Sequence, residues 1–183
     1  MSDLAAACGR RVRVFFMDEA RFGQQGTTTR GWARRGSRPT AVKQTRYEWL
    51  HLYAAVEPAS GDSVALQAPH VNTDVMNVYL QLLSEHLAKD EVMVLIMDQA
   101  GWHRSRALVV PENIFILYLP PYSPELNPIE RLWGYLRSHY LANRAYDDYQ
   151  HLLDAGAEAW QDLTPQRLKS VCACPYLVPE KER

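Results

Sequence analysis

Residues 92–97 (VMVLIM) form six consecutive apolar positions with no polar residue among them. A strand with one wet face alternates apolar and polar side chains. An unbroken run of strand length therefore reads as a strand covered on both faces. Such a strand demands layers above and below its sheet, which is the arrangement of an α/β domain. Residues 114–119 (IFILYL) read as a second buried strand. Residues 11–17 (RVRVFFM) and 48–56 (EWLHLYAAV) are rich in Val, Phe, Tyr and Leu and also read as strands. The turn at Pro58-Ala59-Ser60-Gly61-Asp62 sends the chain back along residues 63–68, so the first three strands are expected as an antiparallel meander.

Helical spacing of Val75, Val78, Tyr79, Leu82, Leu83 and Leu87 predicts a helix capped by Asn72 or Thr73 and running to about residue 88. A short helix is expected over residues 104–108. Asn127 suits an N-cap and Pro128 a first helical turn, where the missing N–H costs nothing, so a helix is expected over about 129–142. Further helices are expected over 146–161 and 165–171. The order βββ-α-β-(α)-β-α-α describes a mixed central sheet with flanking helices.

The apolar fraction of 47%, with ten Tyr and five Trp, excludes a disordered chain. No apolar run reaches the ~18 residues of a membrane span and no secretory signal opens the sequence, so a soluble, cytoplasmic protein is expected. Cys172 and Cys174 form C-x-C without a paired His motif, and with Cys8 they read as reduced thiols rather than a zinc site. The net charge is −1, but residues 1–50 carry ten Lys/Arg against four Asp/Glu (net +6) and the remainder ten against seventeen (net −7). The N-terminal third is thus the better candidate for phosphate contact, with a solvated basic face as the competing reading.

Three carboxylates stand out. Asp18 follows VRVFFM, Asp98 follows VMVLIM, and Glu130 opens the helix after the proline-studded loop LPPYSPELNP. Cleaving a phosphodiester requires a nucleophilic water and a stabilised leaving oxygen, which two divalent ions about 4 Å apart provide. Magnesium needs only one or two carboxylates beside substrate oxygens and waters. Each residue also has a structural explanation: Asp18 as a turn residue, Asp98 as a cap, and Glu130 as a partner of the helix dipole. Glu125 in the proline loop is the rival third ligand.

The run PPYSPELNPIERLWGYLR closely resembles the third-carboxylate block of DDE-type transposases, in particular the bacterial insertion-sequence enzymes related to the Tc/mariner group. FFMDEARFG resembles their first block and LIMDQAGWHRS their second, in the family's order, over about residues 12–142. The resemblance implies a ribonuclease H-like fold and a DNA transposase dependent on Mg2+, with Mn2+ able to substitute and two ions bound. Matched block by block, it makes Asp18, Asp98 and Glu130 the catalytic and metal-binding residues. It also implies transposon inverted-repeat ends and target DNA (with TA target dinucleotides) as partners, a homodimer on DNA, and association with the nucleoid when acting.

Two departures qualify the match. Only 31 residues separate Asp98 from Glu130, slightly fewer than is usual in the group, which a short loop deletion explains. Seventeen residues precede Asp18, too few for the helix-turn-helix domains these transposases carry. The expectation is therefore a single catalytic domain over 1–183, with a core at about 11–142 and C-terminal helices at 146–171. Its N-terminal DNA-binding region would be absent or separately encoded. A ribonuclease H-like nuclease or Holliday-junction resolvase without strand transfer, and a non-catalytic transposase remnant, are the alternatives.

Other residues carry secondary expectations. Arg30, Trp32, Arg34 and Arg35 interleave basic and aromatic side chains on a Gly/Thr/Arg-rich excursion and are candidates for DNA-backbone contact and stacking. Alternatively, Trp32 pins the excursion to the sheet. His103 and Arg104, just after the second block, are further DNA-contact candidates; His103 reads equally as a structural hydrogen-bonding histidine. If the first strand persists, Glu19 points to the face opposite Asp18, either supporting the site or pairing with an Arg. Leu132 and Trp133 read as core anchors of the Glu130 helix, and Tyr122 as a residue that shapes the site.

Overall fold

The computed structural model describes residues 9–23, 34–37, 48–142 and 144–175. Strand β1 spans Arg11–Gly23, β2 Trp49–Val56 and β3 Ser63–Ala68. Helix α1 (Thr73–His86) follows, then β4 (Glu91–Met97) and β5 (Ile114–Tyr118). A 3-10 turn at Pro124–Leu126 leads to α2 (Ile129–Leu136), which runs into one π-helical turn at Arg137–Leu141. Helices α3 (Tyr149–Gln161) and α4 (Pro165–Val171) complete the described residues.

The five strands lie in the order β3-β2-β1-β4-β5. The β1–β2 and β2–β3 pairs are antiparallel, as the meander predicts, while β1–β4 and β4–β5 are parallel. All seven residues of β4 are buried, in line with its unbroken apolar run. Phe15 and Met17 of β1 pack with Met93, Leu95 and Met97 under α1, against Met76, Tyr79, Leu80 and Leu83. Phe16, Ala20 and Phe22 face the other way, into a core with Val94, Ile96 and the α2 residues Ile129, Leu132, Trp133 and Leu136. Strand alternation thus divides one sequence between two cores, giving helix, sheet and helix layers.

Four elements depart from the sequence expectation. Strand β1 continues through Asp18 to Gly23, because residues 16–23 pair with β2 after the β4 pairing has stopped at Phe16–Ile96. Strand β5 is an edge strand rather than a buried one: only one face meets the α1 core, and Phe115 and Leu117 are 43% and 55% exposed. Residues 104–108 form turns rather than a helix. At the start of α2 it is Pro128 that takes the cap position, while the Asn127 carboxamide oxygen accepts from the Ile129 N–H at 3.3 Å. The α1 cap is as expected, with Asn72 accepting from Val75 N–H at 2.9 Å.

Much of the positive charge near the start of β1 is consumed internally. Arg13 donates to Glu57 and Asp62, each at 2.6 Å, and lies 3.5 Å from Glu91; Arg11 also pairs with Glu91. These pairs stitch β1 to the β2–β3 turn and to the entry of β4, so Arg11 and Arg13 serve the fold. Gly61 permits that turn, since its φ of +76° is one that a side chain would strain.

Candidate active site

The continuation of β1 beyond β4 creates the site. At Phe16–Ile96 the two strands part, and the gap between them opens onto residues 18 and 98. Asp18, Asp98 and Glu130 line one cleft of about 510 Å³, together with Gln99, Arg104, Asn127 and the proline loop from Pro120 to Pro124. Glu125 does not line it.

Helix α2 brings more than Glu130. Its Trp133, 1% exposed, donates its indole N–H to Asp18 Oδ2 at 2.8 Å. Just ahead of the helix, buried Asn127 donates its amide to the Met17 carbonyl at 3.0 Å, one residue before Asp18. The helix start is therefore locked to β1 at the point where β1 presents its carboxylate. Burial pushes the Asp18 carboxyl up to about 7; the Trp133 N–H pulls it down, but the negative fields of Glu130 and Glu19 add to the rise.

Asp98 lies in a different environment. Its side chain is 57% exposed. Its Oδ1 accepts from the Ala100 N–H at 3.0 Å and from His103 Nδ1 at 2.7 Å. The His103 contact holds the Asp98 carboxyl below its usual range, the Ala100 N–H contributing after it. His103 is completely buried, and its other nitrogen, Nε2, lies 2.8 Å from Glu19 Oε1. Burial alone would lower the imidazole, but its hydrogen bonds to Asp98 and Glu19 prevail and raise it to about 9. Trp102 N–H also donates to Glu19 at 3.0 Å, and Tyr118 O–H donates to the His103 carbonyl at 2.6 Å.

Of these partnerships the Trp133 hydrogen bond lies beyond the sequence expectation, while a structural His103 and a supporting Glu19 are among its alternatives. Glu19 does point away from Asp18, but its described partners are a histidine and an indole rather than an Arg. Trp133 is a hydrogen-bond donor as well as a core anchor. His103, with no surface exposed, is a buried structural partner and does not face a phosphate. Arg104 does reach the cleft: it is exposed and donates to Gln99 Oε1 at 3.0 Å, while Gln99 in turn donates to the Leu119 carbonyl at 2.8 Å. Arg34 and Arg35 lie exposed on a turn closed by Ser37 onto the Arg34 carbonyl. Arg30 and Trp32 lie outside the described residues. Tyr122, on the cleft's proline loop, is fully exposed and has a φ of +58°, rare for a residue with a side chain.

Among the described residues no three His, Cys, Asp or Glu side chains close into a ready metal cage. The carboxylates line an open cleft instead. That suits a hard cation completing its shell with waters and substrate oxygens. A desolvated Asp18 with two acidic neighbours is, moreover, an electrostatic environment that a cation relieves.

Comparison with known proteins agrees with this construction. The family model described as DDE superfamily endonuclease matches residues 13–153. An uncharacterized protein of Sinorhizobium fredii is 38% identical over 121 residues, covering 66% of this chain and 90% of its own length. The Tc3 transposase of Caenorhabditis elegans is 39% identical over 172 residues, covering 87% of this chain and 52% of the relative. The insertion element IS630 39 kDa protein of Shigella sonnei is 24% identical, covering 86% of this chain and 47% of the relative. The chain thus spans about half the length of these last two.

Among solved structures, the Mos1 mariner paired-end complex with Mn superposes with a TM-score of 0.66 at 18% identity, over 87% of this chain and 51% of that one. The Mos1 catalytic domain superposes with a TM-score of 0.60 at 16% identity, over 87% and 75%. These likenesses establish the ribonuclease H-like fold. With more than half of its length matched by the family model, the chain belongs to the DDE superfamily endonucleases.

Proposed function

We propose that this catalytic domain cuts transposon-end DNA and joins the freed 3′-hydroxyl to target DNA, with Asp18, Asp98 and Glu130 as its metal-binding and catalytic residues. The observation that carries this is the convergence of the three carboxylates on one cleft, with Asp18 desolvated beside acidic neighbours. Mg2+, or Mn2+ in its place, suits the all-carboxylate donors and the open shell, and Mos1 complexes have been solved with each of these ions. When bound, two such ions supply charge stabilisation to both the attacking and the leaving oxygen.

The chain's own residues set up the in-line exchange. Asp18 is held by the Trp133 N–H and Asp98 by His103, so that both carboxylates would be oriented to hold an ion. Arg104, at the cleft wall, meets the DNA backbone, and Arg34 and Arg35 on their exposed turn extend the contact. In the first step an oxygen of water bonds to phosphorus as the bond to the 3′-oxygen breaks. In the second the same 3′-oxygen bonds to a target phosphorus as that phosphorus loses its bond to the target strand's own 3′-oxygen, which leaves as a hydroxyl, so no covalent protein intermediate is required.

The domain comprises residues 1–183, with transposon ends and target DNA as partners. It works as a homodimer on DNA with a DNA-binding portion encoded elsewhere in the protein or in a companion frame. Mg2+-dependent nicking of DNA carrying the element's terminal inverted repeats tests the assignment. Wild-type protein nicks and Asp98→Ala does not; nicking that persists in Asp98→Ala overturns it. Joining of a pre-cleaved 3′ end to target DNA then separates a transposase from a nuclease or resolvase.

A further inference from the structure

We infer that Glu19 and His103 form a positioning device for Asp98, so that β1 supplies one metal ligand with Asp18 and fixes the orientation of a second through the very next residue. The inference rests on the reading of Asp98 as a metal ligand.

The geometry is specific. His103 is fully buried and Glu19 only 8% exposed, whereas Asp98 is 57% exposed. An aspartate so open to solvent samples several rotamers unless something holds it. His103 Nδ1 at 2.7 Å from Asp98 Oδ1 does so, with the Ala100 N–H at 3.0 Å fixing the same oxygen. The imidazole is itself fixed by Glu19 on Nε2 at 2.8 Å and by ring-edge packing against Trp102, with centroids 5.7 Å apart. Both ring nitrogens face carboxylate oxygens, so both carry hydrogens. Strand alternation makes the arrangement possible: Asp18 faces α2, and Glu19 faces the opposite side of the sheet. Glu19 and His103 touch neither ion nor substrate. They are positioning residues, and partners of this kind set metal affinity by holding ligands in place.

The test is Mn2+ binding to the metal-free chain without DNA, followed by electron paramagnetic resonance, so that it does not depend on activity. Glu19→Gln keeps shape and removes charge; it is expected to weaken Mn2+ binding by about 10-fold, and His103→Asn by about 10- to 100-fold. Because Glu19 acts through His103, Glu19→Gln is expected to have no further effect in the His103→Asn background. Trp102→Phe removes the other bond to Glu19 but leaves the imidazole contact, so its affinity stays within about twofold of wild type.

Wild-type affinity in Glu19→Gln, with binding lost in Asp98→Ala, overturns the inference and leaves the metal site standing. A loss in Trp102→Phe equal to that in Glu19→Gln also overturns it, since general packing then explains both. Unchanged Mn2+ binding in Asp98→Ala overturns the inference and the metal-site reading together.

Discussion

Asp18 and Asp98 reach the same cleft from neighbouring parallel strands, yet they are prepared in opposite ways. Asp18 is desolvated, held by a neutral indole and surrounded by acidic groups, so its carboxyl rises to about 7. Asp98 is open to solvent and tied to an imidazole that two carboxylates hold at about 9, so its carboxyl falls. One aspartate is unfavourable as an anion; the other is favoured as one and oriented by its partners. Two carboxylates of one chemical type are thus set up differently in one cleft, one by desolvation and the other by orientation.

Four experiments break or sharpen this contrast. The largest effect is on strand cleavage, where the two aspartates should be indistinguishable. Alanine at either position is expected to lower the nicking rate by on the order of 10³-fold, the equivalent of losing several kcal/mol of transition-state stabilisation. A variant within tenfold of wild type in a gel nicking assay removes that residue from the site.

Stability without metal should separate them. At pH 8, Asp18→Asn is expected to stabilise the chain against urea by about 2–4 kcal/mol, because it deletes a desolvated anion while keeping an acceptor for Trp133. Asp98→Asn is expected to destabilise it by about 1–3 kcal/mol, through loss of an anionic partner for His103. Shifts of the same sign would end the contrast.

The pH dependence follows from the same shifts. Asp18 binds its proton more tightly folded than unfolded, so its contribution to stability falls as pH rises from about 4 to about 7. His103 also has a raised value; its contribution is full below about 6.5 and is lost as pH rises through about 9. Subtracting the Asp18→Asn profile from wild type in metal-free melting should isolate the first window, and subtracting His103→Gln the second. The smallest effect is that of Trp133→Phe, which keeps most of the packing but removes the N–H. It should raise the Asp18 carboxyl further, seen in its carbon-13 NMR titration, and cost roughly 1–2 kcal/mol of stability.

The parts of the fold governed by local pattern were legible in the sequence. The unbroken run of β4 requires cover on both faces, and both layers are there. The three carboxylates appear in order, two at apolar strand runs and one in the first turn of a helix. The extension of β1 was less visible, because Asp18, Glu19 and Arg21 look like a strand ending. Yet Phe16, Ala20 and Phe22 keep the alternation of one face, and pairing with β2 keeps the strand extended. The exposure of β5 depends on its place at the sheet edge, which its apolar composition does not encode. The Glu19–His103 contact joins residues 84 apart in sequence, and Trp133–Asp18 joins residues 115 apart. Local periodicity contains no trace of such pairings, which exist only once the sheet has brought the elements together.

Those long spans bear on how the chain comes to life. The hydrogen bonds that lock α2 to β1 close loops of 110 and 115 residues, and such closures form only after nearer contacts have offset their entropy. During synthesis both aspartates leave the ribosome well before Glu130 and Trp133. A nascent or prematurely terminated chain lacking α2 therefore carries the first two blocks without a completed site. The three-carboxylate cleft is completed late, in a chain that has already folded around it.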